Sequence, residues 1–323
     1  MRALQIVEPS KLALRDDLPE PEPGNGEVLV RCRYVSICGS NIHPYLGEGR
    51  WARTEYPKPA AWDGHECIGT IVESRLAGWE AGTTVLAHPE DYLGFAELIR
   101  ARPPGLVRLP QEADLAPLIA AQPLATVLRA FARLGPVAGQ RCAVVGQGPM
   151  GLIFTALLRR MGARQVIGID LLAWRLECAR RLGATAVVDA SREDVTERVR
   201  ELTEGQRVDL GVEAVGFAET ARTAVLLPRR QGTVMLFGVP RYDPVEFPVE
   251  HFFRNELSML SSVGEECVDY FATAVGMLVE GHLDLEPLIT HRLPWDEAPR
   301  AFELYAGHAR GVLKIVLEVG TAG

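Results

Sequence analysis

The chain has 323 residues, of which 47% are apolar, and its formal net charge is −8. This length is enough for two packed domains, and the acidic balance gives no electrostatic footprint for nucleic acid or for an anionic membrane. The first residues lack the apolar run of a signal peptide, and no stretch reaches the roughly 18 apolar residues of a spanning helix. The six cysteines are scattered without a C-x-x-C pair, which is typical of a reduced protein. We therefore expect a soluble, globular, cytoplasmic protein.

The first third of the chain is predicted to be rich in strands, at 27–35, 68–73 and 84–87. From about residue 124, strands and helices alternate. The strands are predicted at 141–145, 165–169, 186–188, 209–212 and 232–237, and the helices at 150–161, 173–182, 192–203 and 217–227. Such alternation indicates right-handed β-α-β units around a parallel sheet. After residue 264 we expect helices at 267–280 and 297–305 and a last strand at 312–317.

A glycine motif at 146–151, GQGPMG, follows one predicted strand and opens a helix, as in a dinucleotide site. Gly146 permits the tight turn, Gly148 lets the backbone approach a pyrophosphate, and Gly151 lets the helix pack close to the sheet. The N–H groups at the start of that helix would bind the phosphates. The alternative interpretation is an ordinary turn between a strand and a helix. The acidic residue Asp170 at the end of the next predicted strand makes that alternative improbable.

Asp170 ends the next predicted strand, 19 residues beyond Gly151, where its carboxylate would accept a hydrogen bond from a ribose 2′-hydroxyl. Leu171 follows, where a chain that prefers NADP usually has arginine or a small polar residue. NAD is therefore the expected cofactor. Arg175 lies about one helical turn further on. Its side chain could reach a 2′-phosphate, which would favour NADP instead.

A second group of polar residues precedes this region and includes a thiol, two imidazoles, a carboxylate and an amide. It comprises Cys38, Ser40, His43, His65, Glu66 and Gln122. Thiolate, imidazole and carboxylate are the groups that bind zinc in proteins, and a catalytic zinc keeps one position open. Each residue alone has a structural explanation: a buried cysteine, a turn pair at 65–66, or a serine that caps a helix. Together, and beside a dinucleotide motif, they favour a zinc centre.

These patterns resemble the medium-chain dehydrogenase/reductase superfamily, in particular its zinc-dependent alcohol and polyol dehydrogenase branch. The matching segments are 23–28, 37–43, 64–69, 146–151, 213–216, 237–240 and 311–316. The resemblance implies an α/β protein with two domains. A GroES-like, β-rich catalytic domain would comprise 1–123 and 265–323, and a doubly wound, parallel-sheet Rossmann domain at 124–264 would bind NAD. The active site would lie in the cleft between them.

The resemblance also assigns roles to individual residues. Cys38 and His65 would bind one catalytic zinc, with Glu66 as a further ligand or a close partner, and the zinc would polarise the substrate oxygen. Ser40 would pass the alcohol proton, through a ribose hydroxyl of the cofactor, to His43. The cofactor-binding residues would be Gly146, Gly148, Pro149, Met150, Gly151, Asp170, Arg175, Val215, Phe237 and Val239.

The chain departs from the family pattern at three places. Many members have a four-cysteine lobe for a structural zinc, but the corresponding stretch at 87–95 has no cysteine, so we expect no structural zinc. We interpret its polar residues, His88, Glu90 and Asp91, as solvated, with lining of the substrate entrance as the alternative. Gln122 replaces a usual glutamate, so we expect water as the fourth zinc ligand with Gln122 nearby, or Gln122 itself. Asn41 stands where aspartate is common.

The expected reaction is oxidation of a secondary alcohol of a polyol, sugar or cyclitol to the ketone. The loop at 45–51 offers Tyr45, Glu48, Arg50 and Trp51 to a polyhydroxylated substrate. Acidic groups at 48, 90 and 91 suggest an aminated sugar or aminocyclitol, unless they are merely surface charges. The alternatives are a zinc-free NAD(P)H-dependent enone or quinone reductase of the same superfamily and a non-enzymatic nucleotide-binding scaffold. Family habit suggests a homodimer or homotetramer.

Overall fold

A computed structural model describes residues 1–111, 114–240 and 246–320. The chain divides into two compact units, one formed by Met1–Ala125 with Cys267–Gly323 and the other by Thr126–Glu266. Within the described ranges, no helix combines the length and the apolar character needed to cross a membrane.

Strands and helices occur in both units and are numbered here in chain order. The strands of the described residues are β1 (Ala3–Glu8), β2 (Lys11–Arg15), β3 (Val28–Ser36), β4 (Cys67–Ser74), β5 (Thr84–Pro89), β6 (Leu98–Arg108), β7 (Arg141–Val145), β8 (Gln165–Asp170), β9 (Ala186–Asp189), β10 (Val208–Glu213), β11 (Pro228–Leu236), β12 (Ser258–Ser261), β13 (Ile289–Pro294) and β14 (Lys314–Glu318). The α-helices are α1 (Gly39–Leu46), α2 (Ala121–Leu134), α3 (Pro149–Arg160), α4 (Ala173–Arg181), α5 (Val195–Leu202), α6 (Ala218–Leu226), α7 (Val249–Arg254), α8 (Phe271–Val279) and α9 (Ala298–Ala306). Short 3-10 helices lie at Gly49–Arg53, Glu90–Tyr92, Ala116–Ala120, Gly264–Tyr270, Glu286–Leu288 and Trp295–Glu297.

The first unit is built on a mostly antiparallel sheet in the order β13-β14-β3-β4-β5-β6, and β3 also pairs with β6. Burial alternates along β3, where Val30 and Cys32 face the core and Arg31 is exposed, as expected for a strand with one buried face. The antiparallel register pairs Val35 at the end of β3 with Cys67 at the start of β4. This register brings the residues that follow β3 next to the residues that precede β4.

The second unit is a six-stranded sheet in the order β12-β11-β10-β7-β8-β9. Every neighbouring pair in it is parallel. Chain order runs outward from β7 in both directions, so the loop after β7 lies at the point where the strand order reverses, the usual ligand position in such sheets. The predicted α/β class, with a β-rich part and a parallel-sheet part, is confirmed.

Several elements were not predicted from the sequence. Strand β6 contains Pro103-Pro104-Gly105, residues that are normally typical of turns, and α1 contains Pro44 and begins at a glycine. The helix expected at 267–280 begins as an α-helix only at Phe271, because Gly264–Tyr270 forms a 3-10 helix.

Candidate metal centre and nucleotide site

Three predicted zinc ligands converge in the first unit. Potential ligand atoms of Cys38, His65 and Glu66 all lie within 4.8 Å of one another. Cys38 lies between β3 and α1, and the other two residues immediately precede β4. The pairing of these two strands therefore explains why residues distant in sequence meet. A thiol, an imidazole and a carboxylate at this spacing are a donor set that fits zinc.

The orientation of the His65 ring suits metal binding. Its Nδ1 lies 2.9 Å from the backbone oxygen of Asp63. A carbonyl oxygen can only accept, so Nδ1 carries the hydrogen and Nε2 is the nitrogen available to a metal. Such a bond to the outer nitrogen fixes the tautomer and the ring direction of a ligating histidine.

Cys38 and His65 also shift each other's ionisation. Burial and the Glu66 carboxylate raise the pKa of Cys38, but the hydrogen bond and charge of His65, with the charge of Lys314, outweigh them and lower that pKa overall. Burial lowers the pKa of His65, but the Cys38 thiolate and the nearby carboxylates raise it to about 9. The environment therefore favours the thiolate, the form of cysteine that binds zinc.

The third residue of the cluster, Glu66, is held in a buried ion pair. The Nζ of Lys314 lies 2.8 Å from its Oε1 and 2.6 Å from its Oε2, and the hydroxyl of Ser36 donates to Oε2 as well. The exposed fractions of the Lys314 and Glu66 side chains are 2% and 0%. Because both carboxylate oxygens already have donors, this arrangement favours the role of close partner over that of direct ligand.

Gln122, the fourth predicted metal residue, is buried near the start of α2. Its side-chain nitrogen lies 4.0 Å from the sulfur of Cys267, a buried cysteine. With its nitrogen directed at that sulfur, the amide has only its oxygen left to offer a metal. Its place as zinc ligand or neighbour stays a prediction.

The two residues predicted to carry the proton, Ser40 and His43, both lie on α1. Their spacing of three residues puts them on one face of the helix. The Nδ1 of His43 lies 3.8 Å from the carboxylate of Glu48, and the His43 side chain is 14% exposed. The proton path itself stays a prediction.

The interpretation of His88 as a solvated loop residue is wrong. His88 lies on β5 and its ring contacts Tyr92, with centroids 5.0 Å apart, and lies 6.4 Å from the ring of His65. Burial, and then the charge of His65, lower the pKa of His88 to about 4. This residue is therefore a neutral imidazole beside the metal cluster.

One expectation about a substrate-contacting residue, Tyr45, is also corrected. Tyr45 is 3% exposed, packs on Phe302 and donates to the backbone oxygen of Ser10, so it belongs to the core. Glu90 pairs with Arg102 and Asp91 with Arg100, at 3.2 Å and 3.4 Å. The side chain of Arg50 lies outside the described residues.

In the second unit, the glycine motif shows which positions exclude a side chain. A Cβ at Gly151 would lie 1.8 Å from the oxygen of Gly146, and one at Gly146, where φ is +90°, would lie 2.3 Å from Val215. At Gly148 the nearest atom would be 3.9 Å away. Packing therefore requires glycine at positions 146 and 151, whereas Gly148 leaves an open cradle at the start of α3.

Asp170 ends β8 and is largely buried. Its Oδ2 accepts from the backbone N–H of Gln147 at 2.7 Å, and its Oδ1 from that of Leu172 at 2.9 Å. These bonds attach the carboxylate to the glycine loop. The Nη1 of Arg175 lies 3.8 Å from Asp170, and the buried Nε of Arg175 has no hydrogen-bond partner. An open glycine cradle beside an anchored carboxylate and an unsatisfied arginine nitrogen fits a nucleotide.

The residues predicted near the nicotinamide follow the neighbouring strands. A Cβ at Gly216, where φ is +96°, would lie 2.1 Å from the oxygen of Val239, so the loops after β10 and β11 cross closely. Val239 is 55% exposed, and the ring of Phe237 packs on Phe154 with centroids 4.9 Å apart. The crossing of these loops places Val215, Phe237 and Val239 at the same edge of the sheet as the glycine motif.

Comparison with known families decides the identity of the chain. Residues 24–107 match the model of the alcohol dehydrogenase GroES-like domain, and residues 149–280 match that of the zinc-binding dehydrogenase. The chain belongs to the zinc-dependent medium-chain dehydrogenase superfamily. It is an alcohol dehydrogenase-type oxidoreductase that uses zinc and a nicotinamide cofactor, which confirms the predicted class of enzyme and cofactors.

This medium-chain dehydrogenase has relatives that align over nearly its whole length. The L-threonine 3-dehydrogenase of Bacillus subtilis strain 168 is 28% identical and aligns over 94% of this chain and 95% of its own. The alcohol dehydrogenase TADH from Thermus sp. ATN1 has a TM-score of 0.86 and 26% identity, with 99% of this chain and 100% of that chain covered. L-idonate 5-dehydrogenase from Escherichia coli has a TM-score of 0.85 at 22% identity, with 98% of each chain covered, which shows a shared fold.

Sequence reasoning missed Lys314, Ser36 and Asp63 in the metal centre of this dehydrogenase. One signal was available for Lys314, which is one of only three lysines in the chain and lies between apolar residues in a predicted strand. A lysine in that position has to find a buried counter-charge. Nothing in the sequence around Ser36 or Asp63 distinguishes them from ordinary loop and strand residues.

Removal of the charge on Lys314 should destabilise the first unit strongly. Lys314→Met leaves the Glu66 carboxylate buried without its cation, and we expect a loss of about 3–5 kcal/mol in the free energy of unfolding. Lys314→Met with Glu66→Gln should recover more than half of that loss, since no unpaired charge remains. Urea unfolding measures both. Lys11→Met is the control, because Lys11 pairs with Glu8 on the surface and should cost less than about 1 kcal/mol. A double variant no more stable than Lys314→Met would contradict the account.

Two glycine variants should separate packing from nucleotide binding. Gly151→Ala forces a Cβ into the backbone of the preceding turn and should lower the free energy of unfolding by about 1–3 kcal/mol. Gly148→Ala should leave stability nearly unchanged but weaken NADH binding by about tenfold or more, because the methyl group occupies the phosphate approach. Fluorescence titration with NADH measures the second effect. Wild-type NADH affinity in Gly148→Ala would show that the cradle is not the phosphate site.

Proposed function

We propose that this medium-chain dehydrogenase transfers a hydride between NAD and a secondary alcohol of a neutral polyol, sugar or cyclitol, giving the ketone. The observation that carries the proposal is the convergence of Cys38, His65 and Glu66 on one point of the first unit. The second unit supports it with a glycine cradle and an anchored carboxylate. The proposal needs both features, because hydride transfer from an alcohol requires an activated oxygen and a hydride acceptor.

The metal centre would activate the alcohol. Bound zinc supplies a Lewis acid that lowers the pKa of a bound alcohol, and NAD supplies the hydride acceptor. Cys38 Sγ and His65 Nε2 would hold the metal, with Glu66 and Lys314 as the buried charges beside it. The remaining positions would be open to Gln122 and to water or substrate.

The proton of the alcohol would leave through α1. The Ser40 hydroxyl can both accept and donate a hydrogen bond, so it can pass a proton to His43 by way of a ribose hydroxyl of the cofactor. Histidine has an ordinary pKa near neutrality and can release the proton to solvent. The carboxylate of Glu48 lies 3.8 Å from the Nδ1 of His43 and is an acidic group close to this imidazole.

NAD is the proposed cofactor, rather than NADP. The Asp170 carboxylate can accept from a ribose 2′-hydroxyl with the lone pairs not used by the backbone, and it would repel a 2′-phosphate. Arg175 lies within 3.8 Å of Asp170 and partly offsets that repulsion. We therefore expect a preference for NAD, with some use of NADP.

The proposed substrate is neutral because two aromatic side chains lie next to the metal ligand His65. His88 and Tyr92 surround it, and the C–H faces of a polyol pack well on such rings. Glu90 and Asp91 form surface ion pairs with Arg102 and Arg100 of β6, so each of these charges already has a partner. These pairs weaken the case that two of the three carboxylates made for an aminated substrate.

A second candidate substrate is a hydroxy amino acid. The relatives named L-threonine 3-dehydrogenase, such as that of Bacillus subtilis, are the specific observation in its favour. Threonine also carries a secondary alcohol, so the same zinc and NAD chemistry would apply. It needs partners for a carboxylate and an ammonium group, and the acidic groups at 90 and 91 are already in ion pairs.

The remaining alternatives concern the metal and the assembly. A zinc-free enone or quinone reductase would leave the thiolate–imidazole pair without a function. A nucleotide-binding scaffold would leave Ser40 and His43 without one. We also propose a cytoplasmic homodimer or homotetramer, as is usual in the family.

Metal analysis tests the proposed centre. The purified enzyme should contain about one zinc per chain. Cys38→Ser should lose the zinc and the alcohol dehydrogenase activity while it still binds NADH. Cys178→Ser, a cysteine of α4 outside the cluster, is the matched control and should keep both. A zinc-free, active wild-type enzyme would favour the reductase alternative instead.

A substrate screen tests the proposed class. With NAD, neutral polyols and sugars should give kcat/KM values at least about tenfold above those of amino sugars and L-threonine, since charged groups lack partners in this loop. NADP should support slower turnover. Absorbance at 340 nm reports the reduced cofactor. If L-threonine is turned over as well as the polyols or better, the proposed polyol substrate is wrong and the amino acid takes its place. The proposed zinc chemistry would be unchanged.

A further inference from the structure

A buried amide joins the two loops that carry the proposed zinc ligands. Asn41 is 2% exposed and lies in the first turn of α1. Its Oδ1 accepts from the backbone N–H of Cys38 at 2.7 Å. Its Nδ2 donates to the backbone oxygen of Asp63 at 2.8 Å and also to the Asp63 carboxylate. One side chain thus contacts the loop of one ligand with its oxygen and the loop of the other with its nitrogen.

The chain of hydrogen bonds continues to the second ligand. The Asp63 oxygen that accepts from Asn41 also accepts from the Nδ1 of His65 at 2.9 Å. The carboxylate of Asp63 lies 3.9 Å from the same ring nitrogen. A continuous path therefore runs from the backbone of Cys38, through Asn41 and Asp63, to the His65 ring. Asn41 therefore contacts the loops of both ligands at once, and the backbone oxygen of Asp63 passes this contact on to the His65 ring.

The chemistry of this path requires an amide at position 41. An aspartate there would still accept from Cys38, but it would have no hydrogen to donate to Asp63. It would also place a second carboxylate against the first in a largely buried position, since the Asp63 side chain is 15% exposed, and like charges so close destabilise each other. By contrast, an asparagine at position 63 can turn its oxygen toward the Asn41 nitrogen and keep the bond.

We propose that Asn41 and Asp63 are a positioning pair that sets the separation of Cys38 and His65 for the metal. The proposal rests on the zinc centre proposed above. Neither residue touches the substrate or the metal, and both act through the ligands. Partners that orient ligands in this way typically contribute about 10-fold to 100-fold in metal affinity.

The pair can be tested by exchanging the two residues. Asn41→Asp should release zinc to a chelator about tenfold faster or more, whereas Asp63→Asn should change the rate by less than about threefold. The combined variant, N41D with D63N, should recover only part of the zinc retention lost in N41D, because an amide again donates to a carboxylate but the backbone oxygen of residue 63 still lacks a donor from residue 41. Asn25→Asp, on the exposed turn before β3, is the matched control and should behave as wild type.

The measurement is the rate of zinc transfer from the holoenzyme to a colorimetric chelator, with thermal unfolding of the chelator-treated protein in parallel. If Asn41 only caps α1, N41D will unfold at a lower temperature but release zinc at the wild-type rate. That result would overturn the proposed positioning role. A combined variant that releases zinc as fast as N41D would overturn it as well. If wild-type enzyme holds zinc and N41D releases it equally slowly, only this inference fails. If wild-type enzyme binds no zinc, the proposed metal centre fails and the pair with it.

Discussion

The buried ion pair of Lys314 and Glu66 is the constraint on which the metal centre depends. It joins residues 248 apart in sequence and fixes the last strand, β14, against the loop that carries His65. Two charges removed from water are costly unless each finds the other at good geometry. The C-terminal segment brings Lys314 to Glu66 when β14 pairs with β3. This explains why the first unit contains both the N-terminal and the C-terminal part of the chain. The charge of Lys314 balances that of the Glu66 carboxylate, so the ion pair that lies next to the Cys38 thiol has no net charge.

The nucleotide unit depends on a different constraint, the close crossing of backbone segments. A Cβ at Gly151 would meet the backbone of Gly146, one at Gly146 the side chain of Val215, and one at Gly216 the backbone of Val239, so none of these positions allows a side chain. These crossings bring the ends of β7, β10 and β11 together, while Gly148 stays open. Asp170 then attaches the glycine loop to the end of β8. The carboxylate therefore both shapes the loop and remains where a ribose would meet it.

The parallel sheet could be predicted well from the sequence because each buried strand is a short apolar run bounded by glycine or by a helix. The glycine motif was predictable too, since Gly146, Gly148 and Gly151 each have their own steric reason, whereas the crossing of Gly216 with Val239 was not predicted. Strand β6 could not be predicted, because Pro103-Pro104-Gly105 is a turn pattern that only pairing with β3 and β5 overrides. The same holds for His88, whose burial comes from Tyr92 and Phe271, a residue far away in sequence.

For the metal centre, the sequence supplied the residue types but not their partners. Cys38, His65 and Glu66 were predicted together and do converge, whereas their roles stay predictions. The choice between ligand and partner for Glu66 depends on Lys314, and the ring direction of His65 depends on Asp63. Both contacts are tertiary: the apolar strand around Lys314 indicates a buried counter-charge but not which one, and no local pattern marks Asp63.

The most direct test of the account follows the hydrogen itself. A neutral polyol labelled with deuterium at its secondary carbinol carbon would be incubated with the zinc-loaded enzyme and NAD, and the products analysed by mass spectrometry. The account predicts one deuterium in the reduced cofactor for each ketone formed, and loss of that transfer in Cys38→Ser. Ketone without deuterium in the cofactor, or undiminished transfer in Cys38→Ser, would contradict it.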